Sequence, residues 1–413
     1  MKQSKITFLS SIGAGLEYYD FVIYVIFASF ISQNFFPDSN RVVALFATFG
    51  VFAIGNIIRP LGGIVLGICG DKFGRKKVFT HTLLWMAFAT FLMGITPTFA
   101  TLGLTATIIF SICRILQGVT CGAEIPGATT FLLEHIHAKR HGLHFGFMSS
   151  SVGLGSSLGL LVAWIITKLL TDEQMFRWGF RLPFLFGGVL ALVGFLIRKH
   201  VPETPAFLAL QKANNKFLAG INKYHCKQVL NTIGVLIFPA SFVTFFLAFP
   251  AYLHDYYHYT FPNIYLAMTI GSLWTAFLIP VFGWISDYIP NRKILLLIAA
   301  LIFVLFSFPA FSLLHSQTNW ALFGFIIFGK TLLAAMAASY FVLLPKAFPT
   351  MSRYTGTAFS YNIVYSIAAL IPLAMNYAYG VLKNQDYLIW TLLLLAGLTI
   401  ICTFKLQVEH INS

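Results

Sequence analysis

Asp20, Arg59, Arg114 and Lys330 each lie about ten to twelve residues from the nearer end of a long apolar run. A charge at that depth in hydrocarbon is costly, so each must face a cavity, a partner of opposite sign or a proton that can come and go. The chemistry that suits these residue types is proton exchange and anion binding, with no covalent bond broken. Glu17 and Asp20 stand three apart and share a helix face that Tyr24 continues one turn later. That pair reads either as a proton-coupling site or as one side of an ion pair locking the first run to a neighbour; Glu124 is a third acid, nearer the end of its own run. Arg59 is followed by Pro60, Gly62 and Gly63, and lies twelve residues before Asp71, or about 18 Å along a helix. Arg114 precedes Gln117 and Gly118. Three deep cations against two acids of the first run point to an anionic cargo, since arginine forks onto carboxylate or phosphate and lysine adds a point charge. The competing reading is that Glu17 and Asp20 neutralise two of the three. Tyr361 and Asn362, polar groups in another apolar run, are further cavity candidates.

The elements that position these residues follow from composition. Hydrophobic residues make up 58% of the 413 and charged residues only 10%, too few charges to solvate a soluble protein of this size. A spanning helix needs about 20 largely apolar residues. Twelve such runs are predicted, at 8–32, 43–70, 78–97, 102–132, 144–171, 180–198, 229–253, 264–286, 293–314, 320–344, 355–382 and 386–405. The first follows Lys2 and Lys5 as a signal peptide would, but it is too long, contains Glu17 and Asp20 and lacks a small-residue cleavage pattern; it reads as a retained helix. With the N-terminus inside, the cytoplasmic segments collect 19 of the 27 lysines and arginines and the outer loops five. Both termini are therefore expected in the cytoplasm. This asymmetry accounts for the net charge of +14, so no nucleic-acid partner is needed.

Residues 67–77 read GICGDKFGRKK and residues 283–293 read GWISDYIPNRK. Each has glycine, then aspartate four residues on, then basic residues at the ninth and tenth steps. Their spacing of 216 residues in 413 is what duplication of a half-length unit leaves. The predicted organisation is all-α, with bundles at 1–199 and 228–413 joined by a basic linker at 200–227. Gly153, Gly155 and Gly159 suit close packing of the fifth run. The cysteines and histidines show no disulfide framework, metal set, or nucleophile and base gathered at one membrane face. An enzyme is thus disfavoured. No metal or cofactor is expected beyond the proton as coupling ion.

The 67–77 turn resembles the loop signature of the major facilitator superfamily, and further segments resemble its metabolite:proton symporter branch, which includes proline/betaine, 2-oxoglutarate, citrate and shikimate transporters. They are GAGLEYYDF at 13–21, IIRPLGGIVLG at 57–67, RILQGVTCGAE at 114–124, RLPFLFG at 181–187, PETPAF at 202–207 and RYTGTAFSYN at 353–362. The resemblance implies twelve helices in two pseudo-symmetric six-helix bundles around a central cavity that opens to one side at a time. It implies proton coupling and cargo binding at Glu17, Asp20, Arg59 and Arg114, and a cytoplasmic gate built on Gly67, Asp71, Gly74, Arg75 and Lys76, with Gly283, Asp287 and Arg292 in the repeat. Asn291 and Pro290 depart from Arg75 and Gly74 of the first turn, so the second latch is expected to be weaker or asymmetric. Residues 366–372 read SIAALIP where relatives tend to have a glycine pair. The antiporter signature, glycine followed by proline in the fifth helix, is absent, which favours symport. The expected function is proton-coupled uptake across a bacterial inner membrane of a small organic anion. Di- or tricarboxylates come first, a citrate-type siderophore included, with Lys330 favouring them if it faces the cavity. The alternatives are a zwitterion such as proline or betaine, an exporter, and a transport-dead sensor. The lipid bilayer and a small solute are the expected partners, with one chain as the working unit.

Overall fold

The computed structural model describes residues 3–73, 75–122, 124–136, 140–199, 223–348, 353–384 and 386–407. Gly74 and most of the linker lie outside these residues, as do the side chains of Glu17, Gly67, Asp71, Arg75 and Lys76. Every regular element described is helical. The first half contains α1 (Gln3–Ile26), α2 (Ala28–Phe35), α3 (Arg41–Ile57), α4 (Arg59–Phe73), α5 (Arg75–Ile95), α6 (Phe99–Leu102), α7 (Leu104–Cys121), α8 (Glu124–His135), α9 (His141–Leu169), α10 (Asp172–Arg177) and α11 (Leu182–Lys199). The second contains α12 (Lys223–Asp255), α13 (Phe261–Tyr288), α14 (Lys293–Leu313), α15 (Asn319–Lys346), α16 (Arg353–Ala368), α17 (Ile371–Asn376) and α18 (Asp386–Lys405). A π-helical turn at Tyr377–Val381 follows α17.

Ten stretches among the described residues are long and apolar enough to cross a membrane, and a bent pair adds an eleventh. The shorter apolar helix His81–Ile95 runs through the remaining predicted segment. Starts are set by side chains that take up amides the first turn leaves bare. Asn40 accepts from the Val42 amide, Thr318 from that of Ala321, and Thr171 forms a capping box with Gln174. The breaks have more varied causes. α3 gives way to α4 immediately before Arg59 and Pro60, where proline has no amide hydrogen for the Asn56 carbonyl and the Ser366 hydroxyl donates to it instead at 2.7 Å. α1 and α2 meet at Phe27 with a bend of 62°, where the sequence has neither proline nor glycine.

Within the first half, α1 packs on α9 and α11, α5 on α7 and α11, and α3 and α4 on α7. Within the second, α15 packs between α13 and α14, and α12 lies on α16 and α18. The halves meet along two seams, α9 against α13 and α16 against α3, α4 and α8. Small residues allow the approach. At one end of the first seam Gly142 faces Gly283 so closely that a Cβ on either would strike the other's carbonyl.

The contact that places the arginines works the same way. A Cβ at Gly118 of α7 would collide with the carbonyl of Gly55 in α3, and the colliding atoms are backbone on both sides. Gly118→Ala is therefore expected to destabilise the protein by about 1–3 kcal/mol through overpacking. Gly50→Ala, on α3 with nothing within 4 Å of the new methyl, serves as the neutral control. Thermal melts in detergent check the pair; equal melting temperatures would mean that α3 and α7 do not pack this closely.

Candidate functional site

The deep charges fall into two groups. The first lies inside the first half. Asp20 on α1 is buried, 1% exposed, and its Oδ2 accepts from the Thr90 hydroxyl of α5 at 2.9 Å. Its other oxygen has no partner among the described residues. Gln117 Nε2 donates to Thr90 Oγ1 at 2.7 Å, and Arg114 Nη1 donates to Gln117 Oε1 at 3.0 Å. The Arg114 guanidinium also lies 4.8 Å from the ring centres of both Tyr24 and Phe52, distances at which the faces of aromatic rings attract a cation. Tyr24 is fixed in turn by donating to the Thr48 carbonyl at 3.0 Å. Asp20 and Arg114 are thus joined through two neutral side chains, and among the described residues Asp20 makes no ion pair.

The second group surrounds a cavity of about 60 Å³ between the halves. Tyr18, Ser149 and Ser156 line it from the first half, and Ser272, Lys330, Tyr340 and Tyr365 from the second. Lys330 on α15 is 5% exposed, with its ammonium 5.0 Å from the Phe246 ring centre. Among the described residues no carboxylate is within ion-pair distance of it. The hydroxyls of Ser149 and Ser272 are buried without a hydrogen-bond partner. Hydroxyls in apolar helices commonly bond back to the carbonyl four residues before, as Ser157 and Thr275 do here. The cavity thus holds a cation and two hydroxyls with hydrogen-bonding capacity to spare.

Arg59 lies beside the second group. It is buried on α4, its guanidinium 5.6 Å from the ring centre of Tyr365, which lines the cavity. The depth count places Arg59, Arg114 and Lys330 at one level; the structure puts only Lys330 in the cavity wall. Tyr361 is buried against Tyr365, ring centres 4.4 Å apart, and Asn362 donates to the Gly122 carbonyl across the seam at 2.7 Å. Glu124 is buried away from the cavity, where it accepts from Thr82 at 3.0 Å.

Thr90, Tyr18, Ser149, Ser272, Tyr340 and Tyr365 are not singled out by the sequence, and Ser156 reads there as one of the small packing residues of the fifth run. Serine, threonine and tyrosine are common in spanning helices, so type alone gives no signal. Tyr365, one turn after Tyr361 on the same face, was the one recoverable from spacing.

Bonds tie the halves at both ends. At one, Asp287 accepts from the Gly142 amide at 2.8 Å and the Leu143 amide at 3.0 Å, and Arg292 donates to it at 2.6 Å. A carboxylate of the second half therefore sits at the positive N-terminus of α9 in the first. At the other, Arg41 makes a two-pronged ion pair with Asp255, at 2.9 and 3.2 Å. Asn376 donates there to the Val42 carbonyl at 2.8 Å. The matching first latch, around Asp71 and Arg75, lies outside the described side chains.

Comparisons with known proteins agree with this architecture. The chain is 31% identical over 385 residues to a proline/betaine transporter of Salmonella typhimurium, covering 88% of this chain and 75% of the relative. It is 31% identical over 425 residues to the inner membrane metabolite transport protein YhjE of Escherichia coli, covering 97% and 93%. A putative proline/betaine transporter of Staphylococcus aureus is 34% identical over 386 residues, covering 89% and 80%. Among solved structures, the proton:xylose symporter XylE bound to 6-bromo-6-deoxy-D-glucose superimposes with a TM-score of 0.75 at 17% identity, covering 98% of this chain and 95% of that one. That likeness shows the twelve-helix fold. The family model described as Major Facilitator Superfamily matches residues 10–373, and the chain belongs to that family of membrane transporters.

Proposed function

We propose that this transporter takes up a small carboxylate-bearing organic solute together with protons across a bacterial inner membrane, with both termini in the cytoplasm. The observation that carries this reading is Lys330, a buried cation in the wall of a cavity between the halves with no described carboxylate to neutralise it. Such a charge is retained at a cost unless an anion arrives to pair with it. In the cycle we infer, Asp20 takes a proton, the solute's carboxylate meets Lys330, and the hydroxyls of Ser149 and Ser272 complete its hydrogen bonds. The neutralised cavity then closes on one side and opens on the other. Residues 1–199 and 228–413 act as the two rocking bundles, 200–227 as their linker, and the bonds of Asp287 and Arg41 as alternating seals. The proton is the coupling ion, and one chain is the working unit.

Two solute classes fit a carboxylate. The charge count in the sequence favours a di- or tricarboxylate. The cavity wall favours a zwitterion such as proline or betaine: it offers one ammonium and the rings of Tyr18, Tyr340, Phe341 and Tyr365, and aromatic faces receive an ammonium group. Two of the relatives described above carry proline/betaine names, which supports the same class. Thermal stability of the purified protein against citrate, 2-oxoglutarate, succinate, shikimate, a citrate-type siderophore, proline and glycine betaine tests both. A ligand at 100 times its Kd adds about 2.7 kcal/mol to the folded state. Stabilisation by the first five selects the anion, and by the last two the zwitterion. A carrier stabilised by none of them is not a carboxylate transporter of this kind.

A further inference from the structure

Thr90 has one hydroxyl hydrogen and two acceptors waiting for it. Its Oγ1 lies 2.9 Å from Asp20 Oδ2 and 2.9 Å from the carbonyl of Met86, while Gln117 donates to it at 2.7 Å. The direction of the hydroxyl therefore depends on the charge of Asp20. With the carboxylate ionised, the hydrogen goes to Asp20, because bonds to a charged acceptor are the stronger. Donation then runs one way along the row, from Arg114 to Gln117 to Thr90 to Asp20, cation at one end and anion at the other. Hydrogen bonds aligned in this way polarise and strengthen one another. With a proton on Oδ2, Asp20 becomes the donor, Thr90 accepts from both sides, and its own hydrogen turns to the Met86 carbonyl. The row then has no anionic end, and the hold of Gln117 on Arg114 weakens.

We propose that Thr90 is a positioning residue that passes the protonation state of Asp20 through Gln117 to Arg114. Its place in transport rests on the proton-coupled reading above. The proton enters on Asp20 Oδ2, one hydrogen bond reverses and another swings, and no other proton is transferred. The Arg114 charge also acts on Asp20 directly through space, and the row adds a route that depends on the Thr90 hydroxyl. The charged and titratable groups facing Asp20 are Arg114 and, on its own helix, Tyr19, whose hydroxyl is engaged in donating to the Pro183 carbonyl. Gly187 of α11 approaches the Oδ1 side, and Glu124 of α8 is turned to Thr82. Glu17 stands three residues away on α1.

The test is an infrared difference titration of the purified full chain, with no solute added. The Asp20 carboxyl band is assigned by its loss in Asp20→Asn and the Arg114 guanidinium bands by their change in Arg114→Lys. In the wild type both should change over the same pH interval. In Thr90→Val, which keeps the shape and removes the hydroxyl, the Asp20 band should still titrate while the Arg114 change is lost; Thr90→Ser should restore it. Gln117→Leu cuts the row from α7 and should uncouple the bands in the same way, which covers a Thr90→Val variant that does not fold. Arg114 bands that follow Asp20 as well in both cut variants as in the wild type would overturn the proposal, as would Arg114 bands that never follow it. A coupled titration in a protein that binds none of the seven panel solutes would leave the link standing and remove the carboxylate-uptake reading instead.

Discussion

Replacing Lys330 with methionine should lower affinity for the carboxylate-bearing solute proposed above by about 10- to 100-fold while leaving the solute-free protein at least as stable as the wild type. The first half of this expectation comes from the charge-assisted bond. Hydrogen bonds to charged groups contribute about 1.5–3 kcal/mol, and each 1.4 kcal/mol is tenfold in binding. The second half comes from what surrounds the ammonium now. It is buried against Phe246 and has no described carboxylate partner, so the empty carrier gains little from keeping it charged there. Methionine has similar length and packs well on an aromatic ring. Uptake into proteoliposomes and thermal melts without solute measure the two effects separately. A methionine variant that transports normally would remove Lys330 from the binding site, and one that both melts early and fails to bind would make it a packing residue.

Asp20→Asn should separate transport from its driving force. One pH unit across the membrane is worth about 1.36 kcal/mol per proton, so one-to-one coupling sustains about tenfold accumulation per unit. Asparagine takes up no proton, and accumulation driven by a pH gradient should fall to a ratio of about one. Exchange of labelled for unlabelled solute should continue, because it needs no net proton movement. The substitution fits locally: the amide oxygen can take the place of Oδ2 at Thr90, and the amide nitrogen occupies the position of an oxygen that had no bond to lose. Continued uphill accumulation by the asparagine variant would show that the coupling acid lies elsewhere, with Glu17 the next to test.

The membrane architecture was legible because lipid imposes long apolar helices, and composition alone identifies the solvent. What a linear count cannot supply is azimuth. Depth along a helix is 1.5 Å per residue, so Arg59, Arg114 and Lys330 could be placed at one level; the direction each faces depends on neighbours. Arg114 turns inward because Gly55 and Gly118 draw α3 against α7 and set the guanidinium beside Phe52 and Tyr24. Lys330 faces the cavity from α15, which meets α13 where the Thr275 hydroxyl is shared between the Gly271 carbonyl at 2.9 Å and the Lys330 carbonyl at 3.2 Å. The latch at Asp287 was visible as a repeat, but its partner, the start of α9, is distant in the sequence. With Asn291 and Pro290 in its turn, Asp287 holds two amides and Arg292.

The bend at Phe27 carries a consequence for timing. It leaves the Ile26 carbonyl without its usual helical donor, and the Tyr265 hydroxyl from the opposite half fills the gap at 2.8 Å. In the rocking cycle proposed above, parting the halves here leaves that carbonyl to find water or go without, and a buried acceptor left bare costs about 1–3 kcal/mol. Wetting therefore has to accompany separation. A kink in one helix thus becomes a dwell-time element, holding the door shut until water can follow it open.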